Sequence, residues 1–217
     1  MINAPSSYIP ALSFRWLTPA YDPLLRLGMR EAAFKLRLIA RARIQPGERV
    51  LDLGCGTGTL ALMIKGAVLE AAVTGIDGDP EVLSIARRKA TRKGASVEWD
   101  EGLAFGLPYS DGSFDVVVSS LVIHHLTGAD KLRAFREVRR ILRPGGAFHI
   151  VDFGPPVGWL TRVQTSLIKH LEQSADNFEG RIVGMLEEAG FSGVAVTDPM
   201  RTIFGPVWFY DGLKPKG

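Results

Sequence analysis

The stretch VLDLGCGTGTL, Val50–Leu60, joins an apolar run to a loop in which every second residue is glycine. Val50–Leu53 reads as a buried strand, and a helix opens after Gly58. Gly54, Gly56 and Gly58 have the spacing G-x-G-x-G. A strand that turns into a helix over so few residues needs open backbone angles, which glycine adopts without a Cβ clash. The same loop lets a ligand approach the main chain, with the unpaired N–H groups of a helix N-terminus behind it. A tight turn without a ligand also explains the glycines. Asp77 weighs against that simpler explanation. It lies 19 residues beyond Gly58, at the end of the next apolar run. A carboxylate there can accept both hydroxyls of a ribose. A dinucleotide fingerprint has a further glycine at the sixth position of G-x-G-x-x-G, and here that position is Thr59.

Outward from the loop, two kinds of segment alternate. RVLDL (49–53), AAVTGID (71–77), VEWDE (97–101), FDVVVSS (114–120) and AFHIVDF (147–153) are short apolar runs bounded by turn residues and read as buried strands. PEVLSIARRKATRKG opens on Pro80, places Glu81 in its first turn and ends at Gly94, which are helix start and stop signals. ADKLRAFREVRRILRPGG places Leu132, Phe135, Val138 and Leu142 on one face and stops before Pro144. Strand, helix, strand in repetition predicts a parallel sheet covered by helices on both faces. Residues 1–45 add one or two helices. After GPPVGW come helices near 160–173 and 178–189, then strands over 193–199 and 202–210 that form an antiparallel hairpin at the sheet edge.

Length and composition narrow the class. The chain has 217 residues, enough for one domain with a full core. Apolar residues make up 46% and charged residues 23%, which describes a soluble globular chain rather than a disordered one. A net charge of +3 is too small to argue for a nucleic-acid partner. A single cysteine cannot form an internal disulfide and fits a reducing, cytoplasmic setting. The N-terminus does not read as a signal peptide, and no apolar run is long enough to span a membrane. No multi-cysteine or His/Asp cluster has metal-ligand spacing, so no metal is expected.

Asp52 before the loop, VTGIDGDPEVLSIARRKA, GLPYSDGSFDVVVSSLVIHHL and EVRRILRPGGAFHIVDF follow one another in an order that resembles the class I S-adenosylmethionine (SAM)-dependent methyltransferases. The resemblance covers roughly residues 46–153. TPAYDPLLR and MLEEAGFSGVAV look like the subgroup containing the quinone-biosynthesis C-methyltransferases. It implies an α/β, Rossmann-like, doubly wound fold with a mostly parallel seven-stranded sheet and an antiparallel last strand. The single domain, 1–217, then divides into an N-terminal helical cap (1–45), a SAM-binding core (46–153), and substrate-side helices with a C-terminal hairpin (154–217). It also implies that Gly54, Gly56 and the Cys55 backbone line the methionine and ribose part of SAM. Asp52 acts near the methionine amino end, Asp77 binds the ribose, Gly78 lies beside the adenine, and the loop from Ser119 to Leu121 passes the methionine moiety. S-adenosylhomocysteine is the implied product. The thiol of Cys55 is then incidental.

The family often has an acidic residue after the third strand to accept the adenine amino group, and Leu103 stands there. Alternation lets at most one of Asp100 and Glu101 face the pocket, so backbone at Leu103 and Ala104 with apolar packing is the expected substitute. Methyl transfer from a sulfonium is an in-line displacement in which alignment supplies much of the catalysis. A base is needed only when the acceptor must lose a proton. His124 and His125 follow strand four. Either one orients or deprotonates the acceptor, or the pair packs the loop. His149, inside strand five, is expected to be a satisfied core residue, and His170 to lie on a helix surface. Asp152 could cap the next segment or touch substrate. Tyr8, Phe14, Trp16, Tyr21, Trp159 and Trp208 make a small lipophilic or aromatic acceptor reasonable, or else simply pack helices onto the sheet. Two other functions stay open: a SAM-binding regulatory module without catalysis, and an NAD(P)-dependent oxidoreductase.

Overall fold

The computed structural model describes residues 30–158, 175–203 and 205–217. The helix expected near 160–173, His170, Trp159, Tyr8, Phe14, Trp16 and Tyr21 lie outside the described residues. Helix α1 (Glu31–Ala42) turns Phe34, Leu38 and Ala42 inward at helical spacing. Strand β1 (Arg49–Leu53) leads into α2 (Thr59–Ala67), β2 (Ala72–Asp77), α3 (Pro80–Lys93) and β3 (Glu98–Glu101). Strand β4 (Phe114–Ser120), a 3-10 turn (Ile123–His125), α4 (Gly128–Ile141) and β5 (Leu142–Phe153) follow. Short helices α5 (Ala175–Phe178) and α6 (Ile182–Glu188) precede the hairpin β6 (Ser192–Thr202) and β7 (Gly205–Leu213).

The strands form one seven-stranded sheet in the order β3-β2-β1-β4-β5-β7-β6. Strands β1 to β5 pair in parallel, and β7 runs antiparallel to both β5 and β6. This is the Rossmann-like sheet that the resemblance implied. Alternation along each strand feeds two cores. Val50, Val116 and Val118 pack with Phe34, Leu38 and Ile64 of α1 and α2. Leu51, Leu53 and Val117 pack with Phe135, Val138 and Leu186 of α4 and α6 on the opposite face. Strands buried on both faces read as continuous apolar runs, which is why they were legible. Strand order reverses between β1 and β4, and a crevice opens beyond their carboxyl ends, the usual ligand position in such sheets.

Local signals placed α3 well. Asp79 caps it by accepting from Glu81 N–H at 2.8 Å, Pro80 starts it, and Gly94 closes it at φ 60°. Three expectations shift. Leu142 belongs to β5 rather than to the helix face, because α4 ends at Ile141 and Leu142 pairs with Phe114. The helix expected over 178–189 is two pieces, broken at Gly180 with φ 75°. The strand expected over 202–210 is interrupted, because the hairpin turns between Thr202 and Gly205, where Gly205 has φ 126°. On the α1 face, Arg41 pairs with Asp211 of β7, Asp211 lies 2.6 Å from His149 Nδ1, and Arg37 stacks 4.6 Å over the Phe209 ring. These contacts fasten α1 to the sheet.

Candidate active site

The glycine loop is held by its own backbone. Gly54 N–H and Cys55 N–H both donate to Ile76 O at 2.9 Å, and Gly58 N–H donates to Cys55 O at 2.9 Å. Gly54 and Gly56 have φ of 69° and 52°. They need glycine for different reasons. A Cβ on Gly54 would lie 2.4 Å from Val122 Cγ2, so the β4 loop closes directly onto it. A Cβ on Gly56 would meet nothing within 4 Å, so the main chain there is open to a ligand.

Asp77 at the end of β2 holds this loop from below. Its Oδ2 accepts from Gly56 N–H at 2.8 Å and its Oδ1 from Asp79 N–H at 3.0 Å. Burial raises its pKa, and those N–H groups work against the rise. Asp52 is buried deeper. Its Oδ2 accepts from Ala61 N–H at 2.9 Å in the first turn of α2, which satisfies one of that helix's orphan donors. Burial pushes its pKa up to about 7, against the pull of Lys35 and the Ala61 N–H. Cys55 is buried, and its pKa is raised first by burial and then by Asp52 and Asp77. A thiol held protonated is a poor nucleophile.

A cavity of about 600 Å³ occupies the crevice. Its walls bring together Gly54, Cys55, Gly56, Asp77, Gly78, Leu103, Ala104 and His125. Asp52, Ser119 and His124 do not reach its surface. Ser119 is fully buried and donates to Leu53 O at 3.0 Å, and strand alternation puts Ser120 on the wall instead. The buried Ser120 hydroxyl has no hydrogen-bond partner among the described residues. The turn after β3 supplies Leu103, Ala104 and Phe105, closed by Gly106 N–H donating to Leu103 O at 3.1 Å. Neither Asp100 nor Glu101 lines the cavity, and Asp100 accepts instead from the Tyr109 hydroxyl at 2.9 Å. Helix α1 contributes Glu31 and Lys35, which the sequence did not single out. Their i, i+4 spacing was visible, but not the face they present, since that depends on how α1 docks.

The two histidines separate. His124 is buried with Nδ1 2.7 Å from Asp152 Oδ1, while His125 faces the cavity. Their ring centroids are 3.9 Å apart. Desolvation on its protein-facing side and then the adjacent His124 lower the His125 pKa, although the residue as a whole is exposed. Leu121 has φ 59°, a conformation that costs a non-glycine residue energy and often marks a functional turn. His149 is largely buried against Asp211, and the Trp208 indole N–H donates to Pro155 O at 3.0 Å.

A family model described as a methyltransferase domain matches residues 50–146. A demethylmenaquinone methyltransferase of Thermus thermophilus is 39% identical over 66% of this chain and 65% of its own length. The chain thus spans just under two thirds of that relative. A ubiquinone/menaquinone biosynthesis C-methyltransferase of Xanthomonas campestris is 32% identical, covering 79% of this chain and 76% of its own. Among solved structures, a SAM-dependent methyltransferase of Methanosarcina mazei superposes with TM-score 0.69 over 82% of this chain and 98% of its own, at 23% identity, a likeness of fold. With the sheet order, the glycine loop and the cavity, these matches establish that the chain belongs to the class I SAM-dependent methyltransferases.

Proposed function

We propose that this protein transfers a methyl group from SAM to a small apolar acceptor, with an unmethylated quinol of the naphthoquinol class as the first candidate. One observation carries the proposal: the open backbone at Gly56, the Asp77 carboxylate and the His125 imidazole share the wall of a single cavity. The names of the Thermus and Xanthomonas relatives support the acceptor class. The residues present suit the cofactor. Gly56 leaves room for it, and the Ser120 hydroxyl, without a partner among the described residues, suits its polar methionine end.

When bound, SAM supplies a methyl group already activated on a sulfonium. The chain's task is to hold and align. The Asp77 oxygens each accept one backbone N–H and keep lone pairs for the ribose hydroxyls. Leu103, Ala104 and Phe105 pack the adenine in place of the family's acidic residue. Asp52 contributes by fixing the start of α2 behind the loop. Leu121, Val122 and Leu126 give the wall around His125 apolar surface for the acceptor, and Thr127, Asp130 and Arg133 line the same cavity with polar groups. His125, neutral at neutral pH, can orient an acceptor hydroxyl or take its proton.

Calorimetry with SAM, S-adenosylhomocysteine and NAD, followed by a mass-shift assay on a prenylated naphthoquinol lacking the ring methyl, tests the proposal. Expected are SAM and S-adenosylhomocysteine binding, no NAD binding, and a product heavier by one methylene. SAM binding with no product from quinols, phenols, amines or lipids would favour the non-catalytic module.

A further inference from the structure

Asp152 stands near the end of β5, 1% exposed, beside the turn that carries the histidines. Its Oδ2 accepts from Val122 N–H at 3.0 Å and from Ile123 N–H at 2.7 Å. Its Oδ1 accepts from Phe153 N–H at 2.7 Å and lies 2.7 Å from His124 Nδ1. Three of these four contacts go to the β4–α4 turn. A buried carboxylate is costly unless its lone pairs are satisfied, and here most of the satisfaction comes from a neighbouring loop. Burial pushes its pKa up, but His124 and the backbone donors outweigh that and leave it below the usual carboxylate range. Ionised at neutral pH, it only accepts, so His124 Nδ1 carries a hydrogen and donates.

The lock reaches the cavity in two ways. His124 is seated between His125, 3.9 Å between centroids, and Phe153, edge-on at 4.9 Å. The His125 ring on the wall rests on a ring whose orientation Asp152 sets. Val122, bonded to Asp152 through its N–H, presses its side chain against Gly54. Among the described residues, Lys131 on α4 and Tyr210 on β7 also lie within electrostatic reach of the carboxylate.

We infer that Asp152 is a positioning residue of the active site, acting through His124 and the Val122–Ile123 backbone to hold His125 and Val122 at the cavity wall. Its catalytic meaning rests on the methyltransferase function proposed above. Asparagine at this position keeps an acceptor for the backbone N–H groups of the turn but turns a donor toward His124.

The test compares wild type, Asp152→Asn, Asp152→Glu, His124→Asn and the double variant Asp152→Asn/His124→Asn in the full chain. The probes are SAM and the prenylated naphthoquinol. Asp152→Asn is expected to lower kcat by about tenfold or more while both KM values stay within about threefold, the pattern of misalignment. Asp152→Glu should recover part of the loss. The double variant should be no worse than the poorer single one, because both act through one contact. Nitrogen-15 spectra should show the His124 Nδ1–H tautomer in wild type and its loss in Asp152→Asn, with His125 and Val122 resonances shifted. Unchanged kcat in a folded Asp152→Asn protein, additive losses, or unmoved His125 and Val122 resonances would each overturn the inference. Should Asp152→Asn fail to fold, His124→Asn carries the kcat and KM readouts and the His125 and Val122 resonances with the carboxylate intact, while the wild-type spectrum alone reports the His124 tautomer. No turnover by wild type would count against the proposed function, while the spectra would still decide the positioning role.

Discussion

Gly54 and Val122 meet across the crevice: a Cβ on Gly54 would lie 2.4 Å from Val122 Cγ2. The glycine loop after β1 and the turn after β4 are therefore packed as one wall. Gly54→Ala is expected to cost about 1–3 kcal/mol through overpacking, with further strain from a φ of 69°. Denaturant unfolding measures the loss. Adding Val122→Ala should return the overpacking part and leave the backbone part. A Gly54→Ala protein as stable as wild type would contradict the contact.

Asp77 holds the loop and is assigned the ribose. Asp77→Ala should weaken SAM binding by about 1–3 kcal/mol, the range for hydrogen bonds to a charged group. The unbound protein should also lose stability, because Gly56 N–H and Asp79 N–H lose their acceptor. Calorimetry and thermal unfolding read the two effects separately. Full SAM affinity in this variant would remove Asp77 from the binding site.

Desolvation and the adjacent His124 hold the His125 pKa below the ordinary histidine value, so the ring is neutral between about pH 7 and 8. If the acceptor gives up a proton to it, His125→Ala should lower kcat by about 10²–10⁴ and leave SAM affinity nearly intact. The wild-type kcat should be flat over that pH range and fall only at pH values below the ordinary histidine range. Full turnover by His125→Ala would mean that alignment alone carries the reaction.

Asp52 has its pKa raised from 3.8 to about 7. Between those values the native state holds a proton that the unfolded state has lost. Stability therefore falls as pH rises from about 4 to 7, by an amount on the order of 4 kcal/mol for such a shift. Asp52→Asn keeps an acceptor for Ala61 N–H and removes the titration. The variant is expected to match wild type at about pH 4 and exceed it at about pH 8 in denaturant unfolding. Parallel pH profiles would contradict this.

Asp211 joins Arg41 of α1 to His149 of β5. Asp211→Ala leaves the partly buried Arg41 without its carboxylate and should destabilise the protein by about 1–3 kcal/mol, the range for losing hydrogen bonds to a charged group. Because α1 carries Glu31 and Lys35 to the cavity, SAM affinity should fall as well. Hydrogen exchange along α1 would show whether the helix loosens. Unchanged protection would argue that Arg37 on Phe209 and the apolar face suffice.

The alternation of apolar runs with capped helices was legible in the sequence because it is written at short range. Two-sided burial makes β1 and β4 continuous apolar runs, and Pro80 with Gly94 marks the ends of α3 through local backbone preference. The breaks at Gly180 and between Thr202 and Gly205 were missed because nearby apolar residues continued the pattern while the backbone reversed.

The sequence by itself determined the glycine loop, the carboxylate at the end of β2 and the family. Each depends on residue type at fixed spacing along one stretch of chain. Only the tertiary structure decided which side chains share the cavity. It buried Asp52, Ser119 and His124, opened His125 to the crevice, and brought Glu31 and Lys35 in from α1. It also joined Asp152 to His124 across 28 residues of chain. The physical reason is that a side chain's burial and partners depend on how neighbouring elements dock and twist against one another, and contacts between distant segments leave no period in the sequence between them.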